Sequence, residues 1–250
     1  MNLKKKRSLI LRYTLYFLGG VLFFSSLFVI SVNLGLWGKI PDTDELANLQ
    51  YQQASEIYSR DSVLIGKYFL YDRQPISSED IPQHLADALV AIEDERFYEH
   101  SGVDYRSLFR VAFKTVLLRD QSAGGGSTIS QQLAKNLYPR ESSGKLRLVA
   151  TKIKEMIIAR RLEAVYPKED VLLHYLNTVS FGDNTFGIES ASQKFFWKNA
   201  KNLKIEESAV LVGMLKATYS YNPRVFPEKS QARRDLVLNS MVRNDYLTES

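Results

Sequence analysis

Asp80-Ile81-Pro82-Gln83-His84-Leu85-Ala86-Asp87-Ala88-Leu89-Val90-Ala91-Ile92-Glu93-Asp94-Glu95-Arg96-Phe97 is the stretch on which the reading of the fold turns. Asp80 suits a helix cap, and Pro82 suits a first turn, where no backbone N–H is needed. Leu85, Leu89 and Ile92 then recur at helical spacing. Ala86, Val90, Glu93 and Phe97 share one face of such a helix. Glu93 is thereby expected among apolar neighbours. A carboxylate buried without partners costs several kcal/mol or holds its proton more tightly, and such a group accepts protons well near neutral pH. His100 lies two turns on and could share the site. A Glu paired with Arg96 on a solvated face fits the same spacing, so the pattern alone leaves both readings open.

Beyond this stretch the helical pattern continues. Tyr105 to Leu118 is rich in Leu, Phe and Val, with Arg106, Arg110 and Lys114 interleaved. Ser122 to Gly126 reads as a loop, and Thr128 opens another helix. A long helix is expected from about Lys145 to Ala164, followed by helices over 168–178, 187–196, 205–217 and 229–244. Before it, Glu56–Asp61 and Val63–Tyr68 read as two short strands around a turn. The outer domain is therefore mainly α.

The N-terminus carries Lys4, Lys5, Lys6, Arg7 and Arg12, and no further charge appears until Lys39. About 20 apolar helical residues span a bilayer core. Residues 1–12 are thus expected to be cytoplasmic, 13–38 a transmembrane helix, 39–75 a connecting segment with short strands, and 76–250 the outer domain. The acidic flank Asp42, Asp44 and Glu45 agrees with that orientation. A cleaved signal peptide would need a shorter apolar core and a small-x-small site, which Asn33-Leu34-Gly35-Leu36-Trp37 does not offer. The chain has 250 residues, a net charge of +5 and no cysteine. Disulfides, thiolate metal sites and a cysteine nucleophile are excluded, whereas the modest positive charge suits an anionic partner without selecting one.

Two more features carry chemistry. Gly124-Gly125-Gly126-Ser127-Thr128-Ile129-Ser130-Gln131-Gln132 combines a capping box with glycines before a helix N-terminus, where free backbone N–H groups could meet an anion. Lys135 follows one turn after Gln131. On the long helix, Leu148, Lys152, Glu155, Ala159 and Leu162 share a face, so a second Glu sits on an apolar stripe beside a lysine, with Arg147 two turns before it. A simple exposed ion pair would explain Lys152 and Glu155 equally well. Two carboxylates with Lys135, Arg147 and Lys152 would suit transfer from a phosphate-activated donor.

At this point the residues resemble a known family. Ala91 to Asp104 resembles the first motif of the peptidoglycan glycosyltransferases, the sugar-polymerising domains of class A penicillin-binding proteins and their monofunctional relatives. Gly126 to Asn136 resembles the second, and Lys152-Ile153-Lys154-Glu155 with Arg161-Leu162-Glu163 the third. Tyr175 to Ser192 resembles the fourth, and Glu206 to Pro223 the closing helix. The resemblance implies a lysozyme-like helical domain with a small membrane-associated jaw at about 105–123, behind one N-terminal transmembrane helix. It implies polymerisation of lipid II into a growing glycan strand at the bacterial inner membrane, with inversion at the donor sugar and release of undecaprenyl diphosphate.

The implied catalytic residues are Glu93, as general base, and Glu155, which would help hold the donor diphosphate directly or through a divalent cation, Mg or Mn. The implied substrate-binding positions are Asp94, Phe97, His100, Ser127, Thr128, Gln131, Gln132, Lys135, Asn136, Arg147, Lys152 and Asn177. No organic cofactor and no nucleic acid are implied; membrane lipids and cell-wall synthesis proteins are the expected partners. Three positions depart from the pattern: Thr151 stands where Arg is usual, Trp197 where Gly is usual, and Thr218 where Pro is usual. Ser142-Ser143-Gly144-Lys145 has Ser-x-x-Lys spacing without its companion motifs, so no transpeptidase is expected in this chain. A lysozyme-like hydrolase would have little use for the cation cluster, and an inactive scaffold would not keep both carboxylates.

Overall fold

The computed structural model describes residues 3–117, 125–140 and 144–248. Residues 118–124, which include the far part of the expected jaw and the first glycine of the loop, lie outside the described residues, as do Ser142 and Ser143. The fold is mainly helical.

Helix α1 (Leu3–Asn33) carries an apolar stretch, Arg12–Asn33, with a mean hydropathy of 2.2 and only 6% of its most apolar window buried. It is long and apolar enough to cross a membrane. It stops at Asn33 rather than running to residue 38. Gly35 takes φ 78°, its N–H bonds to the Val32 carbonyl, and the Leu36 N–H reaches the Ser31 carbonyl. This pair of bonds is a Schellman cap, which a residue able to adopt φ > 0 makes possible. Trp37 folds back, donating its indole N–H to Ser31 Oγ at 3.0 Å and meeting Phe28 edge-on.

Asp42 then caps α2 (Thr43–Ala47), whose Leu46 is fully buried. Strands β1 (Ser55–Tyr58) and β2 (Leu64–Tyr68) pair antiparallel with an irregularity at Ile57/Tyr58. Strand β3 (Asp72–Arg73) runs parallel to the later β4 (Thr185–Phe186).

The helical core follows in chain order: α3 (Gln83–Glu93), α4 (Tyr105–Leu117), α5 (Ile129–Leu137), α6 (Lys145–Val165), α7 (Lys168–Thr178), α8 (Ile188–Phe196), α9 (Ile205–Met214) and α10 (Pro227–Arg243). Helix α3 packs on α9 and α10, while α5 packs on α6 and α7. Leu85, Leu89, Ile129, Leu133, Leu162 and Leu176 are fully buried between them. Each such side chain contributes roughly 1.5–3 kcal/mol of transfer free energy. Thr128 and Gln131 form the expected capping box at the start of α5.

Helix α3 does not reach Phe97, as the face of Ala86, Val90, Glu93 and Phe97 requires. It ends at Glu93, because Asp94 leaves the helical region at φ −157°, ψ 70° to meet α5. Phe97 turns into the core instead, with no exposure, and the Lys168 ammonium lies 4.3 Å from its ring centre.

Helix α8 ends on Trp197 in the left-handed conformation (φ 57°, ψ 35°), with 84% of the residue exposed. A residue other than glycine pays roughly 1–2 kcal/mol there. Trp197→Gly is expected to stabilise the fold by about 0.5–1 kcal/mol, after the larger unfolded-state entropy of glycine is subtracted. A thermal midpoint that rises by a few degrees would agree; a fall would show that the exposed indole stabilises the fold by more than the strain it imposes.

Candidate active-site cleft

Glu93 is the last residue of α3, half-buried, at the meeting of two cavities that share Ile92, Glu93, Gly125 and Ser127. Its Oε2 accepts a hydrogen bond from Gln132 Nε2 at 2.8 Å, and the Tyr175 hydroxyl donates to Gln132 Oε1 at 3.1 Å. Tyr175 is buried, and that burial, followed by the charge of Glu93, pushes its phenol well above the usual range. A phenol held protonated fixes the orientation of the Gln132 amide, which in turn fixes Glu93. Arg96 does not pair with Glu93. It is committed to Asp104.

The first cavity, of about 330 Å³, lies between Glu93 and Glu155, with Lys135, Arg140, Lys152, Lys216 and Arg233 on its walls. Glu155 is only 3% exposed. Its Oε1 accepts from Arg140 Nε and Nη2 at 3.1 and 3.0 Å, and its Oε2 from Lys152 Nζ at 3.0 Å. Lys152 also donates to Ser127 Oγ at 2.8 Å, which ties the glycine loop to α6. A carboxylate so deeply buried needs these partners.

Sequence reasoning missed Arg140. It lies past the end of α5 in a segment with no periodicity, so no pattern marks it. Its guanidinium brings to Glu155 a positive charge that Thr151, on the adjacent turn of α6, does not carry.

The second cavity, of about 380 Å³, lies on the other side of Glu93, between α3, the start of α4 and the end of α10. Arg96, Arg106, Arg110 and Arg243 line it, together with Asp94, Glu95 and Asp104. The excess of cations lies on the Glu155 side of Glu93, whereas the second cavity matches its arginines with carboxylates.

The other expected site residues fall into two groups. Ser127, Gln132, Lys135 and Lys152 line the first cavity. Gln131 borders it as well: its Oε1 takes part in the cap, and its buried Nε2 has no partner among the described residues. Thr128 lines the second cavity, but its hydroxyl is already engaged, donating to the Gly102 carbonyl and accepting from the Gln131 N–H.

The remaining positions are turned to internal tasks. Asp94, in the wall of the second cavity but buried, accepts the Ile129 N–H at 3.0 Å and pairs with His100 Nε2 at 3.0 Å. The anion expected at the N-terminus of α5 is therefore supplied from within the chain. His100 lies outside both cavities, in a row of polar side chains that continues through Glu163 to Lys168. Phe97 is core. Asn177 is buried, and clamps the Ile76 backbone N–H and carbonyl, both at 3.0 Å. Asn136 is half-buried and lines neither cavity. Arg147 is exposed and faces a third cavity on the anchor side of Glu155.

Gly102 holds the motif-one loop against α6. A Cβ there would sit 2.7 Å from the Ala159 and Arg160 backbone, and φ is +82°. Asp104 fixes the next turn: it accepts from Arg96 Nη2 at 2.7 Å and from the Ser107 N–H at 3.1 Å. Burial raises its proton affinity, but the Arg96 and Ser107 hydrogen bonds outweigh that and hold its pKa at about 2 against an ordinary 3.8. The unfolded chain therefore binds the proton first as pH falls. Stability on the order of 1–2 kcal/mol, present above pH 4, should be lost between pH 4 and 2. Denaturant midpoints across that window should fall less steeply in Asp104→Asn than in the parent chain.

A divalent cation at Glu155 would displace Arg140 or Lys152 from one carboxylate oxygen and take its other ligands from the substrate phosphates and water. Among the described residues no three His, Cys, Asp or Glu converge, and both Glu155 oxygens are taken by cationic side chains. Mg²⁺ and Mn²⁺ seek several oxygen ligands. The cationic side chains on the wall of this cavity are Lys135, Arg140, Lys152, Lys216 and Arg233.

A family model described as Transglycosylase matches residues 62–242. The chain is 38% identical over 195 residues to penicillin-binding protein 1F of Bacillus subtilis (strain 168), covering 78% of this chain and 27% of that protein. It is 36% identical over 211 residues to penicillin-binding protein 1A of Escherichia coli (strain K12), covering 84% of this chain and 24% of that one. The crystal structure of penicillin-binding protein 1A from Haemophilus influenzae superposes with a TM-score of 0.44 at 22% identity, over 80% of this chain and 20% of that one. The chain thus spans about a quarter of the length of the curated relatives it matches.

Proposed function

The chain belongs to the transglycosylase family, and from that premise we propose that it is a membrane-anchored peptidoglycan glycosyltransferase. Its substrates are lipid II and the growing glycan strand. The observation that carries the reading is Glu93: one half-buried carboxylate, oriented by Gln132, between a cavity with an excess of cations and a second lined by four arginines and three further carboxylates.

Glu93 takes the proton of the acceptor 4-hydroxyl as that oxygen attacks the donor anomeric carbon. The new C–O bond forms as the bond to the diphosphate oxygen breaks, so the donor carbon inverts. Gln132 engages Oε2, and among the described residues Oε1 has no hydrogen-bond partner, which leaves it as the proton acceptor. Lys135, Arg140, Lys152 and Arg233 stabilise the charge that develops on the departing undecaprenyl diphosphate. Glu155 does not need to touch substrate for this. It holds Arg140 and Lys152 in position.

Helix α1 would place the cleft at the outer face of the bacterial inner membrane, with Lys4, Lys5, Lys6, Arg7 and Arg12 in the cytoplasm. Helix α4 exposes Tyr105, Phe109 and Phe113 beside Arg106 and Arg110, the mixture that suits a helix lying in a headgroup layer. The test is turnover of labelled lipid II by purified protein in detergent. Long glycan products support the reading. Release of soluble muropeptides from intact cell walls would assign a lytic enzyme instead, and binding without turnover would assign a scaffold.

A further inference from the structure

Lys168 opens α7, directly after Pro167. A cation at a helix N-terminus opposes the helix dipole; Glu169 and Asp170, in the same turn, are the residues that suit it. The lysine therefore serves something outside α7. Its ammonium lies 2.7 Å from Glu163 Oε2, donates to the His100 carbonyl at 2.7 Å and sits over the Phe97 ring. Only 19% of the side chain is exposed. Two oxygens and one aromatic face thus engage an ammonium that has three donors.

These contacts close a ring. Lys168 holds the His100 carbonyl, and the His100 imidazole meets Asp94. Asp94 accepts the Ile129 N–H at the start of α5. Ser130, the next residue, donates its hydroxyl to Glu163 Oε1 near the end of α6, and Glu163 returns to Lys168. Across the ring, His100 Nδ1 lies 3.8 Å from Glu163. The side chains of Asp94, Glu163 and His100 are 4, 4 and 8% exposed, so water does little to screen or replace these contacts. Glu93 precedes Asp94 in the chain, and Gln132 follows Ser130 by two residues. The ring therefore sets the span across which Gln132 reaches Glu93. Ser130, Glu163 and Lys168 themselves line neither cavity beside Glu93.

We infer that Lys168 is a positioning residue for Glu93, acting with Glu163 and Ser130 to fix the end of α3 against the start of α5. The inference rests on the reading of Glu93 as the base. Without the ammonium, Glu163 loses its only lysine or arginine partner among the described residues. A carboxylate so deeply placed then turns toward water and gives up Ser130. The start of α5 loosens, and the Gln132 amide drifts from Glu93. A misplacement of about 1 Å, caused far from the chemistry, can cost about 10²-fold in rate. Binding of the diphosphate is spared, because the cations of the first cavity stand on other residues.

The full chain in detergent is tested in two steps. Hydrogen exchange reads the ring without reference to activity. In Lys168→Met, which keeps the length and removes the charge, amides of 94–102 and 129–132 should exchange about tenfold faster, with α9 and α10 unchanged, and Lys168→Arg should restore them. Unchanged exchange in both segments would overturn the ring. Lipid II turnover then reads its consequence. In Lys168→Met kcat should fall about 30-fold with KM within about twofold, and Lys168→Arg should recover it to within about fivefold. A loss carried by KM, or no rescue by arginine, would overturn the positioning role. Ser130→Ala opens the same ring by one hydroxyl and leaves every charge in place, so it serves if Lys168→Met fails to fold. It should lower kcat in the same way, yet add less than about twofold to Lys168→Met, because that ring is already open. Effects that multiply in full would overturn the shared ring. A parent chain that leaves lipid II intact would overturn the glycosyltransferase reading, and the exchange result alone would then judge the ring.

Discussion

Glu93→Gln is expected to lower lipid II turnover by about 1,000-fold while leaving the fold intact. A positioned base contributes about 10²–10⁴-fold, and 1,000-fold corresponds to about 4 kcal/mol of lost transition-state stabilisation. The substitution is nearly isosteric. Gln132 Nε2 can still donate to the new side-chain oxygen, so the chain of hydrogen bonds from Tyr175 survives. Thermal midpoint and helical content should therefore match the parent. The loss should appear in kcat, since donor binding depends on the cations of the first cavity and not on the proton acceptor. Glu93→Asp keeps the charge but withdraws it by one methylene, and should recover part of the rate. A Glu93→Gln enzyme within tenfold of the parent would remove Glu93 from the role of base.

Much of this site was legible in the sequence, and the reasons differ by residue. Helices α6, α7 and α10 follow from periodicity, because each buries a continuous face. The Thr128–Gln131 cap follows from local chemistry and is present. The end of α3 does not follow, because nothing local distinguishes Asp94 from another helical residue. What draws it out of the helix is the N-terminus of α5, 35 residues away in sequence. Arg140 was invisible for a related reason: its partner Glu155 is brought to it by the packing of α5 on α6. Asn177 and Phe97 lie within motif segments, yet they serve the frame around the cleft, the one by clamping Ile76 and the other as core. Pattern matching marks a neighbourhood; burial and hydrogen-bond partners separate the residues that face the cavity from those that hold its walls.

That distinction bears most on Glu155, for which Glu155→Gln is expected to reduce kcat/KM by about 100-fold, the scale of losing one preorganised electrostatic element. The carboxylate is buried between Arg140 and Lys152, whose side chains retain 40% and 34% exposure. Breaking a fully buried pair costs about 3–5 kcal/mol, but these cations can swing toward water, so the stability loss should be smaller, roughly 1–2 kcal/mol. Once released, they no longer stand where the diphosphate charge develops. If Glu155 acts by holding them, the effects of Glu155→Gln and Arg140→Gln must be strongly non-additive, because the second change removes a group the first has already misplaced. A double variant only slightly slower than either single one would show this. A double variant slower by the product of the two effects would mean that Glu155 acts on the donor independently of Arg140. Near-normal turnover in Glu155→Gln alone would leave the carboxylate a structural counter-charge, and the cations would then be held by the rest of the cleft.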